Sequence, residues 1–527
     1  MKKRIMAALL LATLSVTGLL AGCSDKETVS YEEEDYGAYP IETDASLTFW
    51  TTLPANVSAT AVSLGETEFA KELEKQTGIK VTYIHPAAGQ DSEAFSLMIA
   101  SNELPDIVQH NWQNTLGGPT GMIEDKVILP LNDLIEQHAP NLKKYLSEYP
   151  DRDKEVKTDD GHYYVFPLLR SDAKLLLAAG PVFRKDWLED LGLDVPKTIS
   201  EWETTLRAFK NEKGATAPLS ISPLKAAKLY AIFNANPDFY VDNGTVKLGC
   251  LEPEFKEAII TLNKWFEEGL LDKNYISADA QINTYNILNG ESGATIASGG
   301  SELGKWLAAK ESDPTFDLIG APYPLDKNGN PCSAVTVGTF FAPYASAAIT
   351  TKCKYPVLAT KWLDFNYSEE GHMLFNFGTE GVSYEMIDGN PTYTELITNN
   401  PDKLSLGQAL ALYSHAGHGG PYIQDSRYLD QYYQFEQQKS ALEEWLKCVE
   451  PSMKTTMPAI TLSTEESSEY AALYNEIVKY RDERVAAFIS GAASLDEYDQ
   501  FIKTLKSLNT DKVIAIQQAA YDRFQSR

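Results

Sequence analysis

The run EFAKELEKQTGIKVTYIHP, Glu68 to Pro86, and the run LMIASNELPDIV, Leu97 to Val108, decide how this chain folds. In the first, Phe69 and Leu73 stand four residues apart among Glu/Lys pairs, the spacing of one apolar stripe on a helix. A helix is predicted over Glu66 to Thr77, closed by Gly78, which can take the left-handed conformation at a helix C-terminus. Ile79 to Ile84 then alternates as a strand does, Ser92 to Ser101 reads as a second helix, and Leu104 to Val108 leads into a further strand. Upstream, Leu47-Thr48-Phe49-Trp50-Thr51-Thr52 is a short β-rich run. A β-α-β-α-β order implies a parallel sheet with covering helices. Ligands of such sheets sit beyond the carboxyl ends of the strands, here Trp50 to Thr52 and Gln109 to Gln113.

Working outward, the N-terminus reads as an export signal. Lys2, Lys3 and Arg4 precede an apolar run from Ile5 to Leu20, shorter than the ~20 residues a membrane-crossing helix needs. Leu20-Ala21-Gly22-Cys23 resembles the bacterial lipobox, which implies that Cys23 receives a diacylglycerol and becomes the new N-terminus. Two acyl chains hold a protein durably to a membrane surface, since each buried CH2 adds roughly 0.8 kcal/mol. The reading is therefore a signal peptide over 1–22, then the lipidated Cys23 and an acidic, disordered stalk over 23–45, on the extracytoplasmic face of the cell membrane.

Composition narrows the partners. The chain carries a formal charge of −28, and −31 without the three basic residues of the leader. That sign repels nucleic acid and anionic headgroups and favours neutral or cationic ligands. Cys250, Cys332, Cys353 and Cys448 form no CxxC and no Cys/His pair at metal spacing. They read as lone buried thiols, with three disulfide connectivities as the alternative. No cofactor is implied.

The opening runs resemble bacterial extracellular solute-binding proteins that deliver sugars to ABC transporters. The resemblance continues through YYVFPLL (Tyr163–Leu169), GPVFRKDWLEDLGLDVPKTISEW (Gly180–Trp202), WFEEGLLDKNY (Trp265–Tyr275) and ATKWLDFNYSEEGHMLFNFGTEGVSYE (Ala359–Glu385). The last block is similar to the large Gram-positive lipoprotein branch. The resemblance implies an α/β fold of two lobes, periplasmic-binding-protein-like and of type II, with several strands crossing between them. The first lobe is expected over 46–172 plus about 331–430, the second over 173–330 plus about 431–527. Val335-Thr336-Val337-Gly338 with Phe340-Phe341 is the expected return strand. Relatives often carry a calcium loop after the helix of Trp202; here Asn211 to Pro218 lacks the alternating carboxylates, so no metal is expected.

A neutral sugar asks for aromatic faces and planar hydrogen-bonding groups in a cleft. Trp187, Trp202, Trp265, Trp362 and Trp445 fall within helical patterns and read as core. Trp112, in His110-Asn111-Trp112-Gln113-Asn114, follows a strand and sits among amides, so Trp112 and Asn111 are candidate ligand contacts. Trp50 and Trp306 are open between core and cleft. Ser298 and Gly300, in the loop after the Gly293–Ala297 strand, allow close backbone approach. Arg170 stands where the lobes join, either to donate to hydroxyls or to pair with Asp172, and Tyr344 follows the return strand. His415 and Tyr422 bound a glycine-rich loop read as a mobile cleft loop. Asp326-Lys327-Asn328-Gly329-Asn330 opens like an EF-hand, but position twelve is Val337, and Asn-Gly reads better as a turn.

These residues add up to a tethered binder of a neutral carbohydrate, an oligosaccharide before a monosaccharide, with transporter permease subunits as partners. The competing readings are a tethered glycoside hydrolase and a peptide receptor. No GxSxG, HExxH or P-loop pattern is present to specify chemistry.

Overall fold

A computed structural model describes residues 36–222 and 226–527. The leader, Cys23 and the start of the acidic stalk lie outside the described residues. The stalk ends earlier than expected, because Tyr39 and Ile41 pack onto the folded body. Ile41 is buried and its N–H donates to Thr77 O at 2.8 Å, while the Tyr39 ring meets Phe365 edge-on at 5.1 Å.

The opening runs fold as their spacing requires. Strand β1 (Ser46–Trp50) pairs in parallel with β2 (Lys80–Ile84) and with β3 (Ile107–His110). Between them lie helices α1 (Glu68–Thr77) and α2 (Asp91–Ser101). α1 begins at Glu68, two residues later than expected, because the Thr67 hydroxyl caps it by accepting from Ala70 N. Gly78 ends it at φ 73°, and a side chain there would strike the Ile41 carbonyl.

The first sheet has the order β9-β4-β8-β3-β1-β2, with β4 (Phe166–Arg170), β8 (Phe341–Ile349) and β9 (Ile423–Gln424) completing it. All its strands are parallel except β8, which runs antiparallel to both neighbours. The second sheet is β6-β5-β7, where β5 (Ala179–Arg184) is antiparallel to β6 (Ala294–Ser298) and β7 (Leu318–Gly320). The chain thus leaves the first sheet after Arg170 and returns to it at Phe341. It leaves again after Gln424 for helix α4 (Glu436–Leu446), whose Trp445 donates to Pro181 O at 3.2 Å. The result is an α/β fold of two lobes with several crossings.

The second crossing differs from the expected strand. Val335 and Val337 are buried in the second lobe's apolar cluster, but Gly338 N donates to Leu176 O on the first crossing instead of joining a ladder. The ladder starts at Phe341. The five helical tryptophans are core: Trp202 and Trp265 lie with planes 4° apart under the second sheet, and Trp362 meets Phe49 beneath the first. No helix of the described residues is long and apolar enough to cross a membrane.

Candidate functional site

The carboxyl ends of β1 and β3 open onto a cavity of about 620 Å3 between the lobes. From the first lobe, Thr52, Asn56, Gln109, Tyr344, Ser405 and His418 reach its wall; from the second lobe and the third crossing come Ser301, Lys305, Tyr432, Gln434, Phe435 and Gln438. Amides, hydroxyls and the rings of Tyr344, Tyr432 and Phe435 alternate there with glycine, alanine and other small or apolar residues. In a chain of charge −28, no carboxylate lines it among the described residues, and Lys305 is its one cation.

The wall is close-fitting because small residues let large ones approach. At Gly300 a β-carbon would stand 2.4 Å from Tyr432 Cε1, and at Gly299 one would stand 2.6 Å from the Tyr433 hydroxyl. The expected close approach at this loop is real, but the protein's own tyrosines make it. Gln438 is buried and donates from Nε2 to Gly299 O at 2.8 Å, which fixes the loop to α4. Tyr344 sits at an irregularity in β8, where the register shifts between Ala342 and Ala347. That irregularity turns its ring outward, 57 % exposed.

Of the ten positions expected at a ligand, Gly300 and Tyr344 lie on this wall. Ser298 is half-buried just short of it, its N–H donating to Glu302 at 2.7 Å. Arg170 donates to Thr339 O (2.6 Å) and to the Tyr344 hydroxyl (3.2 Å) and so supports that ring, while the Asp172 carboxylate caps its own turn by accepting from Lys174 N at 2.7 Å. The remaining aromatic candidates correct the expectation of stacking faces. Trp112 is 0 % exposed, because a short turn over Trp112–Asn114 folds its ring back against Phe95 and His110. Asn111 stays off the wall, with Oδ1 buried and unpartnered among the described residues. Trp50 is buried beside Phe95. Trp306 is in the second lobe's core and donates to Thr284 Oγ1 at 3.1 Å.

The glycine-rich loop is tied down. The Tyr422 hydroxyl, fully buried, bonds to the carbonyls of His415 and His418 at 3.1 and 3.0 Å. His415 stacks on Phe69 and bonds through Nε2 to Gly419 O at 2.7 Å. Burial lowers His415 to about 4, and burial with the neighbouring His415 lowers His418 to about 3. Both rings are therefore neutral at pH 7, and it is His418 that reaches the wall.

Sequence reasoning missed Tyr432, Gln434, Phe435 and Gln438. The signal was present in DQYYQFEQQ, Asp430 to Gln438, where aromatic rings alternate with amides as in the Trp112 loop.

Nothing at the calcium positions fits the ion. The carboxylates that reach the Asn211–Pro218 segment are already engaged, Asp190 by Lys213 at 2.8 Å and Glu291 by the Thr216 hydroxyl, and the described residues gather no group of three metal-ligating side chains there. The Asp326 carboxylate accepts from Asn328 N, Asn330 N and Asn330 Nδ2, which makes it a turn. The four cysteines are free thiols, three of them buried.

The chain is 26% identical to the fructooligosaccharide ABC transporter substrate-binding protein FusA of Streptococcus pneumoniae serotype 4, over 99% of this chain and 98% of that one. It is 26% identical to the lipoprotein LipO of Bacillus subtilis, over 79% of each chain. In structure it is similar to the alginate-binding protein AlgQ2, with a TM-score of 0.73 and 25% identity over 91% of this chain and 99% of that chain. The two lobes are of the type II periplasmic-binding-protein-like kind. Residues 60–373, more than half of the chain, match the bacterial extracellular solute-binding protein family, and the chain belongs to that family.

Proposed function

We propose that this protein is the substrate-binding receptor of an ABC transporter for a neutral oligosaccharide, anchored outside the cell membrane through acyl chains on Cys23. The observation that carries the reading is the cavity between the lobes: rings from Tyr432, Phe435 and Tyr344 beside the amides of Asn56, Gln109 and Gln434, with no carboxylate. Such a wall matches sugar rings, whose C–H faces stack on aromatics and whose hydroxyls pair with planar amides. Retaining and inverting glycosidases work with two carboxyl groups flanking the bond. This wall supplies none among the described residues, which favours binding over hydrolysis. The relatives support a carbohydrate ligand, since FusA is a fructooligosaccharide transporter substrate-binding protein and AlgQ2 an alginate-binding protein; alginate is acidic, so neutrality rests on this chain's own charge.

The chain's own residues set the mechanism. A ligand held by Gln109 and His418 on one side and by Ser301 and Phe435 on the other stabilises the closed arrangement of the lobes. Closure then presents a composite surface to the permease subunits. A thermal-shift screen of neutral oligosaccharides and peptides, with product analysis in the same tube, tests this. A sugar at a hundredfold excess over Kd stabilises the fold by about 2.7 kcal/mol and stays intact. A response to peptides alone overturns the ligand class, and released reducing ends overturn the binder.

A further inference from the structure

The Tyr344 ring belongs to more than one cavity. That ring also borders a second cavity, of about 310 Å3, walled by Arg170 and the crossing from Ala334 to Thr339. The second cavity shares Asp238, Phe239 and Met457 with a third, of about 560 Å3. The three therefore adjoin in series, with Tyr344 at the first junction and Phe239 at the second.

The far cavity, like the near one, sets aromatic rings beside amides, on different elements. Its second-lobe wall carries three half-buried rings: Phe239 from the hairpin strand Phe239–Asp242, and Tyr470 and Tyr474 from helix α5 (Thr464–Ile489). Tyr474 lies 5.2 Å from Phe239 and 5.0 Å from Tyr470, and the two tyrosine planes are 23° apart, so the tyrosines stack on each other and with Phe239 make one aromatic platform. The platform is held rigidly. The Tyr474 hydroxyl bonds to Asp238 at 3.3 Å, and buried Arg481 donates to the same carboxylate at 2.8 Å, answering the one acidic side chain on this wall. The amides Gln113 and Asn114 reach the same cavity from the first lobe. A rigid, half-exposed aromatic platform with planar amides on the same wall is a sugar-ring subsite in its parts.

We propose that the far cavity is a second carbohydrate subsite, in which the open side of this aromatic platform stacks a sugar ring of the same chain whose other end lies against Tyr432. The receptor then selects linear neutral oligosaccharides long enough to pass Tyr344, and shorter ones fill only the near cavity. This rests on the carbohydrate reading given above. It also gives the loop after β3 its role: Trp112 anchors the loop in the core while Gln113 and Asn114 present amides to the ligand.

Isothermal titration of the full chain with fructan, maltodextrin, xylan and mannan oligosaccharides, each from the disaccharide to the hexasaccharide, tests the inference. In the series that binds, affinity rises with length. Tyr470→Ala and Asn114→Ala each weaken the longer members about tenfold, the scale of one lost stacking or polar contact, and leave the shortest binding member unchanged. Asn114 is exposed and lies in the other lobe, so its variant reports independently if Tyr470→Ala unfolds. Affinity that is flat with length overturns the second subsite and leaves the carbohydrate reading standing. So does a rise with length that neither variant touches, or a loss that falls equally on short and long chains. Silence across all four series overturns both readings.

Discussion

Two loops of this protein have nearly the same composition and opposite fates. His110-Asn111-Trp112-Gln113-Asn114 and Gln431-Tyr432-Tyr433-Gln434-Phe435 both set large rings among amides next to a strand of the first sheet. In the first loop the largest ring turns inward, with Phe95 and His110 filling the space around it. In the second, Tyr432 turns to the cavity, because Gly300 leaves room for its edge there. The difference lies in the neighbours: a ring buries itself where apolar groups surround it and faces a cavity where a glycine backs it.

The largest expected effect falls on the buried member. Trp112→Ala removes a fully buried indole and costs about 3–5 kcal/mol of stability, measured by urea unfolding, while the folded fraction keeps its affinity for the shortest binding oligosaccharide. If affinity collapsed with stability unchanged, Trp112 would belong to the cavity and the contrast would fail. Next comes Gly300→Ala, which forces a methyl against Tyr432 and costs about 1–3 kcal/mol as overpacking. Combined with Tyr432→Ala the penalty should largely vanish, a coupling that a double-mutant cycle reads directly. Additive effects would mean that the glycine serves some other contact.

Tyr432→Ala alone should weaken carbohydrate binding by about 1–1.5 kcal/mol, roughly tenfold, with less change in melting temperature than Trp112→Ala produces. Tyr422→Phe sharpens the comparison from the loop that faces Tyr432 across the cavity. It removes the one hydroxyl proton that the His415 and His418 carbonyls share and costs about 1 kcal/mol of stability. Because that shared bond holds His418 on the wall, the loss should also appear as faster amide exchange over Ala416 to Gly420.

The sequence exposed the fold more readily than the site, for a physical reason. Periodicity reports which side of an element is buried, so α1, β2 and the parallel order of β1, β2 and β3 followed from Phe69, Leu73 and the alternation at Ile79 to Ile84. Loops have no period. Nothing near Trp112 in sequence announces Phe95, seventeen positions back, and nothing near Tyr432 announces Gly300. The crossing at Val335 to Gly338 misled differently: β-branched residues were there, but their burial serves the second lobe's core and not a ladder. Gly300 has the expected property, close approach, but its partner is the protein's own Tyr432. The amide-rich run after Asp430 was the available signal, and it carried as much weight as the Trp112 loop.

The smallest effect expected is a null one, and it discriminates well. His418 lies on the cavity wall, and His415 supports its loop. Burial holds them neutral down to about 3 and about 4, against 6.5 for an ordinary histidine. The folded state therefore takes up fewer protons than the unfolded one below pH 6.5. The stability this provides is complete above that value and is lost as pH falls toward 4. Binding, by contrast, meets the same neutral His418 ring throughout, so carbohydrate affinity should be flat from pH 8 to pH 5 while the melting temperature declines over the acid end. His418→Gln should flatten part of that decline. An affinity that changed several-fold near pH 6.5 would mean that His418 titrates freely in the cleft, and that the loop Tyr422 holds shut is open when ligand arrives.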